Sequence, residues 1–277
     1  MQHDIGASAR FYVILVNGCT PNGHHRLPLP TARNPGDWFD IPQGLELTDD
    51  PTAAWRDRAK LYAVEVDTDD HTRARLVRFV TPAQMLLLGI YTSGSHAVIA
   101  GNVAVSGSAT LEASGDVVVY ASGRSTTVAR GNVVVHASDY ATGRCYGKTT
   151  LNAGDNTSFA LFDECRGRAS GKARITGRGY CKVDASDQSH VDLYDFCEAI
   201  AEGCPVIRGY NRSRIWASDL TRVKTFDQAK AFVRDGVRAT ADGSSQIFAA
   251  PGTSVKPLNF AGVTRLHEWT ELTRMTS

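Results

Sequence analysis

Residues 117–124 read VVVYASGR, residues 181–188 read CKVDASDQ, and residues 213–220 read SRIWASDL. Set one beneath another they share an eight-residue pattern, which runs without insertion from residue 101 to residue 260. The first, third and fifth places are small or apolar, as at Val119, Ala121, Ile175, Val183, Ala185, Ile207, Ile215 and Ile247. The second and fourth places vary and are often charged. Alternation over five residues is the period of a strand with one buried face. The seventh place is Gly or Asp in nearly every octad, Gly107, Gly123, Asp139, Asp155, Asp187 and Asp219 among them. Gly supplies a positive φ there, and Asp can close a turn through its side chain. Each octad is therefore one short strand and one tight turn.

Alternate octads differ at the sixth place. One series carries Ser106, Ser122, Ser138, Ser170, Ser186 and Ser218, and the other Tyr146, Phe162, Arg178, Tyr194, Tyr210 and Phe226. Cys165, Cys181 and Cys197 recur at the first place, sixteen residues apart. Two octads thus make one coil. The predicted fold class is mainly β: a parallel two-sheeted β-solenoid of 16-residue coils, two octads each, preceded by a small α+β domain. About ten coils at ~4.8 Å per rung give a rod ~48 Å long.

Composition narrows the function classes. A net charge of +1 over 277 residues makes a nucleic-acid partner an unexpected one. No apolar run approaches the ~20 residues of a membrane span, so no membrane partner is expected. The first ten residues, MQHDIGASAR, lack the basic-then-apolar form of a signal peptide, which points to a cytoplasmic setting. The six cysteines show no spacing suited to zinc, so no metal is expected, and the ladder of three reads as reduced, buried thiols.

Three regions follow: a small α+β unit at 1–92 that caps the solenoid, the octad rod at 93–260, and a C-terminal cap or tail at 261–277. In the first, strands are expected at 11–17, 61–67 and 74–80, and strand with turn at 37–47. A helix opening on Asp50-Pro51 and another on Thr81-Pro82 complete the unit. Residues 90–100 read as a joint. The tail has Leu266, Trp269 and Leu272 at helix-like spacing and is placed to cover the last coil.

Function on a solenoid belongs to its outward columns. Ile200, Trp216, Phe232 and Phe248 occupy the fourth place of alternate octads, one per coil, and form an outward apolar stripe. Such a patch needs a cover: the tail, a second copy of the chain, or a protein partner. At the second place Arg166, Lys182, Arg214 and Lys230 share that sheet, and Arg174, His190, Arg222 and Arg238 lie on the other. With Asp184, Asp192 and Glu198 interleaved, these read as a solvated face of mixed charge.

The stretch 24–70 carries Pro35-Gly36-Asp37, then Leu47-Thr48, Ala53-Ala54-Trp55, the strand Tyr62-Ala63-Val64-Glu65 and the acidic pair Asp69-Asp70. This order resembles the small ADP-ribosyltransferase-like fold, most nearly its rifamycin-modifying branch. The resemblance covers about fifty residues and implies NAD as a cofactor, with His25 (or His24) on the nicotinamide ribose and Asp70 (or Asp69) in the acidic role. Glu46 stands where that family has a stacking aromatic, and Arg26-Leu27 replaces the usual companion of the His. Read without the family, Trp55 and Tyr62 are core and Asp69-Asp70 is a turn, and no cofactor is expected. The layout as a whole is similar to uncharacterised bacteriophage proteins with octapeptide-repeat β-helices, which implies a viral origin and a host-cell cytoplasmic setting.

The functional expectation is a non-catalytic binding or structural protein that presents a rigid β-solenoid surface to a protein partner. The alternatives are an NAD-dependent ADP-ribosyltransferase-like enzyme, with the solenoid for targeting, and a carbohydrate-binding β-helix. Glycosidic cleavage would need paired outward carboxylates, and Asp184 and Asp192 fall on opposite sheets.

Overall fold

The computed structural model describes residues 11–266. Its body is the parallel β-solenoid that the octads require, about 11 turns of roughly 16 residues. From Thr126 onward each strand pairs in parallel with the strands one coil earlier and later. Thr142 stands opposite Thr126 and Ser158, and Glu198 opposite Lys182 and Arg214. The first face holds Thr126–Gly131, Thr142–Gly147, Ser158–Leu161 and so on to Ser254–Pro257; the second holds Val134–Ala137, Thr150–Ala153 and so on to Gly262–Arg265.

The inward places build one continuous core from Val103 to Ala249. It is thin, so its side chains are small or branched, and Phe159 is the one phenyl ring among its buried residues. The first place has a second duty at the turns. Thr149, Thr157, Thr221 and Thr253 are buried there, and each hydroxyl donates to the carbonyl three residues earlier, at 2.6–2.8 Å. Cys181 occupies the same place, and its thiol reaches the Arg178 carbonyl at 3.2 Å. The flanking thiols of Cys165 and Cys197, together with burial, push the Cys181 thiol up; burial does the same at Cys145. The cysteines of the ladder are free thiols.

The seventh-place Asp closes its turn in two ways at once. Asp139, Asp155, Asp163, Asp187, Asp195, Asp219 and Asp227 all have φ between 49° and 63°. Each of their carboxylates also accepts the backbone N–H of the seventh place one coil earlier, for example Gly171 N–H to Asp187 Oδ2 at 2.9 Å. A Cβ in this conformation costs ~1–2 kcal/mol, and the hydrogen bond contributes about 1 kcal/mol. Asp187→Ala loses the bond and keeps the strain, so a loss of about 1 kcal/mol is expected from urea unfolding midpoints. Asp187→Gly loses the bond but also relieves the strain, so its stability should stay close to that of the wild type. If the two variants unfold together, the carboxylate has no such double role.

Before the regular octads come β1 (Phe11–Leu15), β2 (Phe39–Asp40), β3 (Lys60–Val66), β4 (Arg73–Phe79), α1 (Pro82–Leu87), β5 (Ile90–Tyr91), β6 (Ser95–Val105) and β7 (Thr110–Ala121). The first four form an antiparallel sheet in the order β1-β3-β4-β2. Helix α1 starts as its sequence demands, with a Thr81/Gln84 capping box and Pro at the first position.

Three sequence expectations change. Residues 90–100 are not a joint: β5 and the first half of β6 are already rungs, with Ile90 opposite Ala104 and Ser95 opposite Thr110. A register irregularity between Val98 and Ala100 breaks the octad phase and hides them. The tail does not begin as a helix, because Gly262–Arg265 is one more rung, opposite Gln246–Ala249; Trp269 and Leu272 lie outside the described residues. No helix forms over 51–59 either. Asp50 ties its own loop through the Thr52 N–H and hydroxyl, and Arg58 has φ 62°. The N-terminal unit is tied to the first coil by three hydrogen bonds. Asp50 accepts from Asn102 at 2.8 Å, Trp55 Nε1 donates to Ser106 Oγ at 2.8 Å, and Asp57 accepts from the Gly107 N–H at 3.1 Å.

The last contact completes the Asp ladder. The N–H of Gly107 needs the carboxylate that the next coil would supply, but that position is Gly123. A Cβ on Gly123 would stand 2.8 Å from Asp57 Cγ. Asp57 takes the space and the hydrogen bond together, so the N-terminal unit fills a missing rung of the ladder.

Candidate functional site

The outward fourth-place column of the second face runs Tyr120, His136, Asn152, Arg168, Asp184, Ile200, Trp216, Phe232, Phe248, Thr264, one residue per rung. Its first half is polar apart from Tyr120, which the N-terminal unit covers. A polar side chain is therefore sufficient at this position for the solenoid to fold. The four apolar residues from Ile200 to Phe248 stand outside the main core, and three of them, Trp216, Phe232 and Phe248, form a separate cluster with Leu266. Trp216 stacks on Phe232 at 5.4 Å between centroids, and Phe232 on Phe248 at 5.0 Å.

The stripe faces outward as its phase demands, but it is not uniformly open. Ile200 is 53% exposed, Trp216 and Phe248 are half-buried, and Phe232 is only 6% exposed. Stacking on both faces and contact with Leu266, itself 5% exposed, account for Phe232. The accessible part is the Ile200–Trp216 end. Charge borders it at the second place, where Glu198 lies between Lys182 (3.3 Å) and Arg214 (3.7 Å).

One aromatic column was legible only at the turns. Tyr180 and Phe196, at the eighth place and sixteen residues apart, stack at 5.2 Å with both rings exposed, and Arg212 lies over Phe196. Together with Glu198, Arg214 and Lys230 they line a groove of ≈ 670 Å³. Reading the eighth place in steps of two octads would have shown it; strand places alone do not.

The residues singled out by the transferase-like resemblance do not converge. His25 is exposed in the loop leaving the Leu15 end of β1, with its N–H on Thr20 Oγ1 at 3.2 Å. Asp70 is exposed in the hairpin that leaves the opposite, Val66, end of β3. Hydrogen bonds from the hydroxyl and N–H of Thr72 hold its carboxyl below the usual range. This is the chemistry of a turn cap. Trp55 and Tyr62 are 4% and 6% exposed and pack in the core. A cavity of ≈ 220 Å³ in this unit is lined by Glu46, Asn22 and Arg56 among others, by neither His25 nor Asp70, and is small for a dinucleotide. The residues as placed do not fit NAD in the manner the resemblance implies.

Among the described residues no helix is long and apolar enough to cross a membrane, and no cluster of His, Cys, Asp and Glu is arranged to hold a metal ion. Comparison with known proteins returned no matching family model, no matching curated protein and no matching solved structure.

Proposed function

We propose that this chain is a binding protein whose rigid solenoid presents an apolar column to a protein partner, with the contact centred on Ile200 and Trp216. One observation carries the reading: the same outward column is polar from His136 to Asp184 and apolar from Ile200 to Phe248, although the strand geometry is the same throughout. The core does not need those four side chains, so their reason lies outside it. Exposed apolar groups beside a polar border are the anatomy of a recognition patch. The viral origin implied by the sequence layout would make that partner a host protein.

The expected result of affinity capture from host lysate is one discrete partner, retained by the wild type and lost by both Ile200→Asp and Trp216→Asp. Melting temperatures and circular dichroism should match the wild type for Ile200→Asp, whose side chain is more than half exposed. Capture that is indifferent to Ile200→Asp would sink the reading.

A further inference from the structure

The charges on the two faces are not distributed alike. On the second face Glu198 bridges Lys182 and Arg214. On the C-terminal half of the first face, Arg208, Arg222, Lys224, Arg238 and Lys256 occupy four consecutive rungs, all exposed. Pairing puts Arg208 directly opposite Lys224, and Arg222 directly opposite Arg238. Like charges opposite one another across a ladder repel. Of the carboxylates near them, Asp192 reaches Arg208 at 3.7 Å, and Asp242 is engaged by the Gly243 N–H and by Asn259. Arg222 and Arg238 also line a groove of ≈ 470 Å³ with His190, over the apolar Val206 and Leu220, and no carboxylate lines it.

We propose that this face binds an anionic polysaccharide, a chain of sugar acids or sulfated sugars laid along the rod. An anion placed between opposed cations converts their repulsion into attraction and keeps each charge hydrated at its edge. Rungs ~4.8 Å apart are close to the length of one sugar ring, so a charge on each sugar meets successive rungs and a charge on alternate sugars meets every second rung. Thr240 and Ser254, among the same cations, offer hydroxyls to sugar hydroxyls. A nucleic acid fits less well. The neighbouring rings Tyr194, Tyr210 and Phe226 are stacked on one another at 4.7 and 4.8 Å, which leaves no free faces between them for bases. A flat sheet face also has nothing to enter a duplex groove.

The surface is separate from the apolar column, and its test is separate too. The full chain is titrated with a labelled oligogalacturonate at low and at high salt. Binding should weaken as salt rises. The double variant Arg222→Glu/Arg238→Glu should lower affinity at least about ten-fold. Arg166→Glu/Lys230→Glu, on the second face, and Ile200→Asp should leave it unchanged. Absence of binding at low salt, an equal loss in the second-face variant, or equal affinity for single-stranded DNA of the same charge would each overturn the proposal.

Discussion

Gly143→Ala is expected to destabilise the solenoid by about 3 kcal/mol or more, the upper end of what overpacking does to a core. Gly143 occupies the inward third place, directly opposite Thr127 on one side and Phe159 on the other. A Cβ there would stand 2.2 Å from the Thr127 carbonyl oxygen and 2.5 Å from the Phe159 ring. The ring could rotate away at some cost; the carbonyl belongs to a paired rung and cannot move alone. Phe159→Leu in the same chain should therefore recover only part of the loss. Urea unfolding followed by circular dichroism measures both variants. A loss under about 0.5 kcal/mol, the range of an ordinary surface substitution, would mean that neighbouring rungs separate easily, contrary to a register-locked stack.

Trp55→Ala should release the N-terminal unit from the rod, at a cost of about 3–5 kcal/mol for a buried indole. Trp55 is 4% exposed, packs with Ile14, Leu61 and Ala104, and donates to Ser106. The rod has its own core and should remain folded. Hydrogen exchange should then rise over residues 11–88 and stay slow over the coils from 126 to 249. Uniform exchange across both regions would show a single cooperative unit instead. Acid should loosen the same contact. Partial burial raises the Asp50 carboxyl, but hydrogen bonds from Thr52 and Asn102 outweigh it and hold the group below the usual carboxylate range. A depressed folded pKa contributes stability that is present above the unfolded value and lost as pH falls through the folded one. Docking is therefore expected to weaken on acidification through the carboxylate range and to be unaffected by rising pH.

The coil was legible because a solenoid writes its contacts into sequence spacing. Residues sixteen apart touch, so the Cys165–Cys181–Cys197 ladder, the Tyr194–Tyr210–Phe226 stack and the Gly143–Phe159 compensation can all be read down a column. The Asp column was readable as turn chemistry, and its positive φ followed. That its carboxylate serves the coil before it, and not its own turn, required the stack. The stripe from Ile200 to Phe248 could likewise be placed on an outward face by phase alone. Its uneven exposure could not, because Leu266 reaches Phe232 through the geometry of an added rung that begins after the last clear octad.

Periodicity, inward and outward faces, coil length and the identity of each ladder are properties of the sequence by itself, since in this fold every contact is local in a sixteen-residue metric. What the tertiary structure alone decided lies where that metric ends. Asp57 fills the rung that Gly123 leaves empty, fifty residues from the Gly107 N–H it accepts. His25 and Asp70 part to separate loops at opposite ends of β3, and the cations of the first face gather without the carboxylate bridge present on the second. Contacts between segments with no common period leave no spacing to read, and only the folded chain brings them together.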